Sequence, residues 1–284
     1  MASGVCSETE ENCTLPTLER SLIQMPHSSF LQLVCSNFDD VLTASALGSL
    51  IEGGDGNDSV RGGAADDTIF GGLKLVQGGI SSTPEQADTL FGGEGNDIIY
   101  ASGSSDNAAS LTGNDVGTVI YGDGGNDTVF VTNATVYGGT GNDTISTAAG
   151  FAYGEDGDDT ILGLGAGFQL QGGAGADSLY LTSGQGFADG GENGDHYFID
   201  GPMQATITDS GSVGTDYVYL NAIADISALQ YVRDGNDLVI STVSDFSDGT
   251  AEAGLKVLDW YNSVDSMEWF VTADGGSISG SHFV

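Results

Sequence analysis

The sequence predicts an all-β fold of stacked coils, and three observations carry the prediction. A nine-residue unit, G-G-x-G-x-D-x-U-x with U apolar, recurs in tandem from Gly53 to about Tyr219, and repetition at a fixed short period marks a repeat architecture. Each unit joins a Gly-rich turn to a short strand whose single apolar residue faces inward. The composition asks for something to neutralise it: 41 acids stand against five bases, a formal charge of −36.

Self-repulsion on that scale opposes a compact state. The bases Arg20, Arg61, Lys74, Arg233 and Lys256 are scattered singly, so almost no carboxylate has an internal ion-pair partner. Simple disorder does not fit a chain that is 39% hydrophobic with 12 Phe and 10 Tyr, because disordered acidic chains are poor in aromatics. Cation-dependent folding is the reading that remains. Nucleic acid and anionic membranes are excluded as partners, since both require basic patches. No apolar run approaches the ~18 residues of a membrane span.

Residues 1–50 read as an N-terminal cap, because a stacked array exposes an apolar end that must be covered. Thr14 to Ile23 has a helix-start pattern, with Thr14 as N-cap and Pro16 in the first turn. Phe30 to Val34 suits a short buried strand or a helix turn. Cys6, Cys13 and Cys35 all fall here. Their odd number leaves open one internal pair with a free thiol, a pair between chains, or full reduction. The first residues carry neither a basic region nor an apolar run, so no cleavable signal peptide is expected.

The repeats begin at Gly53. Close copies start at Gly53, Gly92, Gly122, Gly138, Gly154 and Gly172, and looser ones at Gly62, Gly190 and Gly211. Gly53, Gly62 and Gly71 are nine apart, whereas Gly122, Gly138, Gly154, Gly172 and Gly190 are sixteen or eighteen apart. The later part therefore reads as one good repeat per coil, with a degenerate opposite half-coil. Ser81 to Ala87 and Ala101 to Val116 are expected to bulge as loops without breaking the core.

Within one unit, the Gly pair allows positive φ in a tight turn, and the next Gly keeps the turn open. The sixth-position Asp offers a hard carboxylate oxygen. Val60, Ile69, Leu90, Ile99, Val129, Ile145, Ile161 and Leu179 are the inward apolar residues. Stacking at strand spacing sets equivalent turns side by side, so an ion between two turns meets several oxygens. Many oxygens in a flexible geometry describe Ca²⁺, not Mg²⁺ or Zn²⁺.

The tandem unit resembles the RTX (repeats-in-toxin), haemolysin-type calcium-binding nonapeptide repeats. The resemblance implies an all-β parallel β-roll around several Ca²⁺ ions, with a small N-terminal cap and a C-terminal β-rich capping segment: residues 1–50, 51–205 and 206–284. It implies that the sixth-position carboxylates are side-chain ligands: Asp58, Asp67, Asp97, Asp127, Asp143, Asp159, Asp177 and Asp195. Loop carbonyls complete the shells, at Gly54, Gly56, Gly93, Gly95, Gly139, Gly141, Gly173 and Gly175. Asp88, Asp115 and Asp216 also precede apolar strands, but their loops depart from the pattern, so they stay outside the set. Past Tyr219 the segments Ile226 to Val232 and Leu238 to Ser241 suggest strands paired through a turn at Asp234 to Asp237. Leu255 to Tyr261 and Met267 to Val271 add two more. This order is similar to the flank that follows such arrays, with Trp260 and Trp269 covering the last coil. In the family this end carries an uncleaved signal for type I secretion.

No catalytic constellation is present. His27, His196 and His282 are far apart, no Ser sits in a G-x-S-x-G elbow, and paired acids such as Asp66–Asp67 and Asp158–Asp159 are expected by chance among so many. The expected function is a secreted, non-enzymatic calcium-binding scaffold. It folds on meeting extracellular Ca²⁺ and serves a surface-layer, matrix or adhesive role, with itself or a cell-surface polysaccharide as partner. The alternative is an accessory module of a secreted epimerase, lipase or protease, which requires the chain to be a fragment. Ice binding lacks a flat Thr ladder, and Asn57, Asn96, Asn126 and Asn142 give half a pattern.

Overall fold

The computed structural model describes residues 2–5, 31–34, 39–44, 47–72, 87–101, 115–182, 185–200, 204–211, 213–242, 254–262 and 267–283. The Cys residues, the Thr14 to Ile23 segment and most of both expected loop insertions lie outside them. The chain is nearly all β and folds as a parallel β-solenoid. It divides into two compact units, Met1–Ser146 and Thr147–Val284.

In the first unit, strand-forming tails of successive repeats alternate between two parallel ladders. One runs through Val41–Thr43, Ser59–Arg61, Thr89–Glu94, Val119–Gly124 and the second half of Thr128–Thr140. The other runs through Ala2–Val5, Leu31–Val34, Ser49–Glu52, Thr68–Phe70, Ile98–Tyr100 and the first half of Thr128–Thr140. Leu31–Val34 is thus a strand, the first of the two possibilities its sequence allowed. Register is set by the apolar position. Leu42, Val60, Leu90, Ile120 and Val136 are mutual partners down one ladder. Ile51, Ile69, Ile99 and Val129 are partners down the other. All nine are buried. A fully buried Val, Leu or Ile contributes about 1.5–3 kcal/mol, so sliding any coil by one residue would turn this column outward.

The second unit repeats the arrangement. Phe168–Ala174, Phe187–Glu192, Thr206–Thr208 and Leu255–Val257 follow the chain from Phe151 to Asp156, burying Ala152, Leu170, Ala188, Ile207 and Val257 in one column. Thr160–Gly163, Ser178–Leu181, His196–Ile199, Tyr217–Leu220 and Trp269–Thr272 bury Ile161, Leu179, Tyr197, Val218 and Phe270 in the other. The half-coils that lost the Gly-rich motif still pair in register, because they kept the buried residue.

At its C-terminal end the pairing turns antiparallel. Leu229–Asp234 and Asp237–Thr242 form the expected hairpin, with Gly235 at positive φ in its turn, and the second of them pairs with Leu255–Val257. Three expectations are corrected here. Ile226–Ala228 is a 3-10 turn and not strand, because Asp225 accepts the Ser227 N–H and caps it. The strand expected over Leu255 to Tyr261 stops at Val257 and gives way to a turn. Trp260 is buried against Phe270 and Phe283, but Trp269 is 37% exposed because it occupies an outward position of its strand.

The outward face carries stacked aromatics at the ninth repeat position, a feature the motif does not specify. Phe70, Tyr100 and Phe130 stack at 4.8 and 5.1 Å; Phe91, Tyr121 and Tyr137 at 5.0 and 5.1 Å; Tyr180, Phe198 and Tyr219 at 4.3 and 4.7 Å. These spacings are those of adjacent strands, and each stacked pair adds about 0.5–1.5 kcal/mol. The Arg61 guanidinium lies 4.3 Å over the Phe91 ring.

Candidate metal centre

Each Gly-rich turn is shaped by two different demands on its glycines. The first is a demand for space: a Cβ on Gly92 would stand 2.6 Å from the Gly122 carbonyl and well inside contact of Asp97 Oδ2. Gly53, Gly122, Gly154 and Gly172 are crowded in the same way, each by its own repeat's carboxylate and the first-position carbonyl of the next coil. The second demand is conformational. Gly54, Gly93, Gly139 and Gly173 at the second position and Gly56, Gly95, Gly141 and Gly175 at the fourth all have φ between 109° and 146°, a region L side chains avoid. Asp123 and Glu155 fill the second position at φ 70° and 76°, and Asn193 the fourth at 78°. The looser Gly190 loop therefore keeps positive φ at both positions, with Gly191 at 103°.

These turns place the sixth-position carboxylates in rows. Asp67 N–H donates to Asp97 Oδ1, Asp97 to Asp127 and Asp127 to Asp143, each at 2.7 Å, after Ser49 N–H donates to Asp67. A separate row of the same unit runs from Asp40 N–H to Asp58 Oδ1, Asp58 N–H to Asp88 Oδ1, and Asp88 N–H to Thr118 Oγ1. In the second unit Asp159 N–H donates to Asp177, Asp177 to Asp195, and Asp195 to Asp216, at 2.7–2.8 Å. Asp216 N–H then donates to Glu268 Oε2 at 2.7 Å. In every link an earlier coil donates to a later one.

Beside these rows runs another with the opposite sense, built on the fifth position. Asn96 N–H donates to Asp66 Oδ1, Asn126 N–H to Asn96 Oδ1 and Asn142 N–H to Asn126 Oδ1. Ala87 N–H likewise donates to Asn57 Oδ1. The Asn pattern thus has an internal purpose: each of these amide oxygens ties its coil to the next.

The second carboxylate oxygen defines the candidate site. Oδ2 of Asp58, Asp97, Asp127, Asp177 and Asp195 is buried and accepts no hydrogen bond. Unmet buried oxygens are costly. The carboxyls respond accordingly: burial lifts Asp58, Asp97 and Asp127 from 3.8 to about 7 and Asp195 to about 8, and neighbouring carboxylates add to the rise. Asp88 and Asp177 rise to about 6 for the same first cause. Among the described residues the ion pairs join Arg61 to Asp123 and Lys256 to Asp234 and Asp237, all outside the rows. Nor do three carboxylate, imidazole or thiolate groups converge on one point among those residues. A cation seated here would draw on carbonyls as well as carboxylates, an all-oxygen set that fits Ca²⁺.

Most of the residues anticipated from sequence fall on these rows. Asp58, Asp97, Asp127, Asp177 and Asp195 combine a linked Oδ1 with a buried, unpaired Oδ2, and Asp143 and Asp159 occupy equivalent places. Asp67 differs: its Oδ2 accepts the Gly63 N–H at 2.6 Å, because its loop, Gly62 to Asp67, has Ala in place of the fourth-position Gly. Sequence reasoning missed Asp40 and Glu268, and set aside Asp88 and Asp216 for their irregular loops; all four lie on the rows. The three Asp residues carried a readable signal, an Asp two residues before a buried Leu or Val, but Glu268 carried none. Gly71 does open a repeat, yet the carboxylate under it is Asp88, 2.5 Å from where its Cβ would stand. Asp115 is off the row; its Oδ2 accepts from Thr132 N–H and Oγ1, and Thr118 takes the row position.

Comparison with known families agrees with this geometry. The family model of the RTX calcium-binding nonapeptide repeat matches residues 49–73, 85–116, 119–133, 132–150 and 151–166. No curated protein matches the chain. Repeats of this family bind calcium ions, and the carboxylate row of the second unit continues past the last matched residue. Among the described residues no helix is long and apolar enough to cross a membrane.

Proposed function

We propose that this chain, which carries RTX calcium-binding nonapeptide repeats across residues 49–166, is a secreted, non-enzymatic scaffold that folds when it meets extracellular Ca²⁺. The observation that carries the reading is the series of buried carboxylate oxygens without a hydrogen bond at Asp58, Asp97, Asp127, Asp177 and Asp195. Asp143 and Asp159 join them as side-chain ligands by position, and Asp67 through whichever lone pairs its Gly63 bond leaves. Carbonyls of Gly54, Gly56, Gly93, Gly95, Gly139, Gly141, Gly173 and Gly175 complete the shells. Bound Ca²⁺ supplies the positive charge that these carboxylates lack.

The protein's own part is to hold the oxygens in place before the ion arrives. Positive φ at the second and fourth positions aims the turn, and the Oδ1 links fix the carboxylate rotamer. Because the ion binds the folded roll and not the open chain, its binding energy becomes folding energy. Low cytosolic Ca²⁺ then leaves a threadable chain suited to a type I secretion channel, and the folded roll serves in a surface layer, matrix or adhesive assembly. Circular dichroism in EDTA and then in millimolar Ca²⁺ tests the central claim: β-structure should rise sharply on adding Ca²⁺, and a spectrum unchanged by chelation refutes it. Light scattering under the same two conditions tests self-assembly, which should follow Ca²⁺ addition.

A further inference from the structure

The inward column of the second unit contains one residue with a polar group. Where Ile161, Leu179 and Val218 are aliphatic, Tyr197 stands, fully buried. Its ring crosses the interior and its hydroxyl emerges at the Gly190 turn, accepting the Gly190 N–H at 2.6 Å and donating to the Thr208 carbonyl at 2.8 Å. Elsewhere the first-position Gly reaches the next coil directly: Gly53 N–H donates to Phe70 O, Gly62 N–H to Phe91 O and Gly71 N–H to Tyr100 O, at 2.8–2.9 Å. At Gly190 a phenol is inserted into that link.

The same hydroxyl stands where other turns present an oxygen of the adjoining coil. A Cβ on Gly172 would meet Asp177 Oδ2 and the Gly190 carbonyl; a Cβ on Gly190 would meet Asp195 Oδ2 and, at 2.5 Å, the Tyr197 hydroxyl. Strand pairing changes at this point too. Phe168–Ala174 stays in register with Phe187–Glu192 through Ala174 and Glu192, but Phe187–Glu192 pairs with Thr206–Thr208 only as far as Asp189 and Thr208. Asp195 is also the last residue, among those described, whose buried carboxylate oxygen lacks a hydrogen bond. Farther on, Asp209 accepts the Gly211 N–H, and Glu268 takes the Asp216 N–H. Apolar packing replaces charge there, with Leu238, Ile240, Leu255 and Phe270 fully buried.

We infer that Tyr197 ends the cation row: the coil after Gly190 is joined by a phenol bridge instead of an ion, and the coils from Thr206 onward stay folded when Ca²⁺ is removed. The inference rests on the calcium reading of the preceding turns. Its consequence is a metal-independent base beneath a metal-dependent roll.

Hydrogen exchange on the full chain, in millimolar Ca²⁺ and in excess EGTA, tests it. On chelation the amides of Thr160–Gly163 and Ser178–Leu181 should lose protection, while those of Tyr217–Leu220, Asp237–Thr242 and Trp269–Thr272 keep it. Tyr197→Phe preserves the ring and leaves the Gly190 N–H and Thr208 carbonyl unbridged. It should lower protection of Tyr217–Leu220 in EGTA roughly tenfold. Loss of protection in both groups on chelation overturns the inference and leaves the calcium reading intact. Protection of both groups in EGTA overturns the calcium reading and the inference with it. A Tyr197→Phe variant exchanging like the parent in EGTA removes the phenol from the account.

Discussion

Replacing Asp127 by Asn separates the two roles of a row carboxylate, because they respond with opposite sign. The amide keeps Oδ1, so the link from Asp97 N–H survives, and it places an NH₂ near the Gly138 carbonyl, where Oδ2 stood. What disappears is the charge. Burial lifts the Asp127 carboxyl from 3.8 to about 7. At about 1.4 kcal/mol for each tenfold change in proton affinity, the cost of carrying that group into the fold above pH 7 has a ceiling of about 4 kcal/mol. Screening by solvent at the open side of the turn reduces this to the order of 2 kcal/mol. Without Ca²⁺ at about pH 8, Asp127→Asn should therefore stabilise the folded form by ~2 kcal/mol. With Ca²⁺ it should do the reverse, raising the midpoint of the calcium titration about tenfold or more, since a charged oxygen is lost from the shell. Urea unfolding followed by circular dichroism, with sucrose to hold a folded baseline in chelator, measures the first effect, and a calcium titration the second. A variant destabilised equally in both conditions would show the carboxylate to be a purely structural link and not an ion ligand.

Calcium affinity should fall as pH drops from about 8 to about 6, because carboxyls lifted to about 7 at Asp58, Asp97 and Asp127 must release protons to receive the ion; calorimetry in buffers of different ionisation enthalpy measures that release. Without Ca²⁺ the sign reverses: a folded-state pKa above the unfolded 3.8 favours the fold at low pH and penalises it as pH rises through about 7, so residual β-signal in chelator should grow on acidification. Gly92→Ala should abolish Ca²⁺-induced folding, since its Cβ meets backbone at Gly122, whereas Gly167→Ala, with open space around it, should cost only about 1 kcal/mol for its positive φ; thermal melts in Ca²⁺ distinguish them. Asp143→Ala leaves the Asp127 N–H without its acceptor, a loss of about 1–3 kcal/mol, and should reduce the cooperativity of calcium titration, because two coils are weakened together.

Much of this architecture could be read from the chain because the repeat specifies turn, strand and register in nine residues. The inward positions from Val60 to Leu179 are all fully buried, as the period required. The same reasoning underestimated the degenerate coils. Asp88 lies on a row although its turn is interrupted by a long insertion, since the row depends only on the carboxylate and the buried residue two positions later. Asp115 shows the converse: it has the right residue type, but Thr118 is the group that meets the Asp88 N–H. Glu268 and Tyr197 could not have been found by pattern. Each reaches its place through a side chain longer than the motif allows for, and only the fold brings that length to bear.

The two senses of hydrogen bonding have a bearing on how such a chain can change in length. Each turn looks backward through its fifth residue and forward through its sixth, so its needs are met by immediate neighbours alone. Successive carboxylates on a row are 30, 30 and 16 residues apart from Asp67 to Asp143, yet the links all measure 2.7 Å. The row does not register how much chain lies between its members. Whole coils can be gained or lost, and half-coils lengthened, without disturbing the spacing of what remains: the molecule is a register of interchangeable storeys, and its height is free to vary while its floor plan is not.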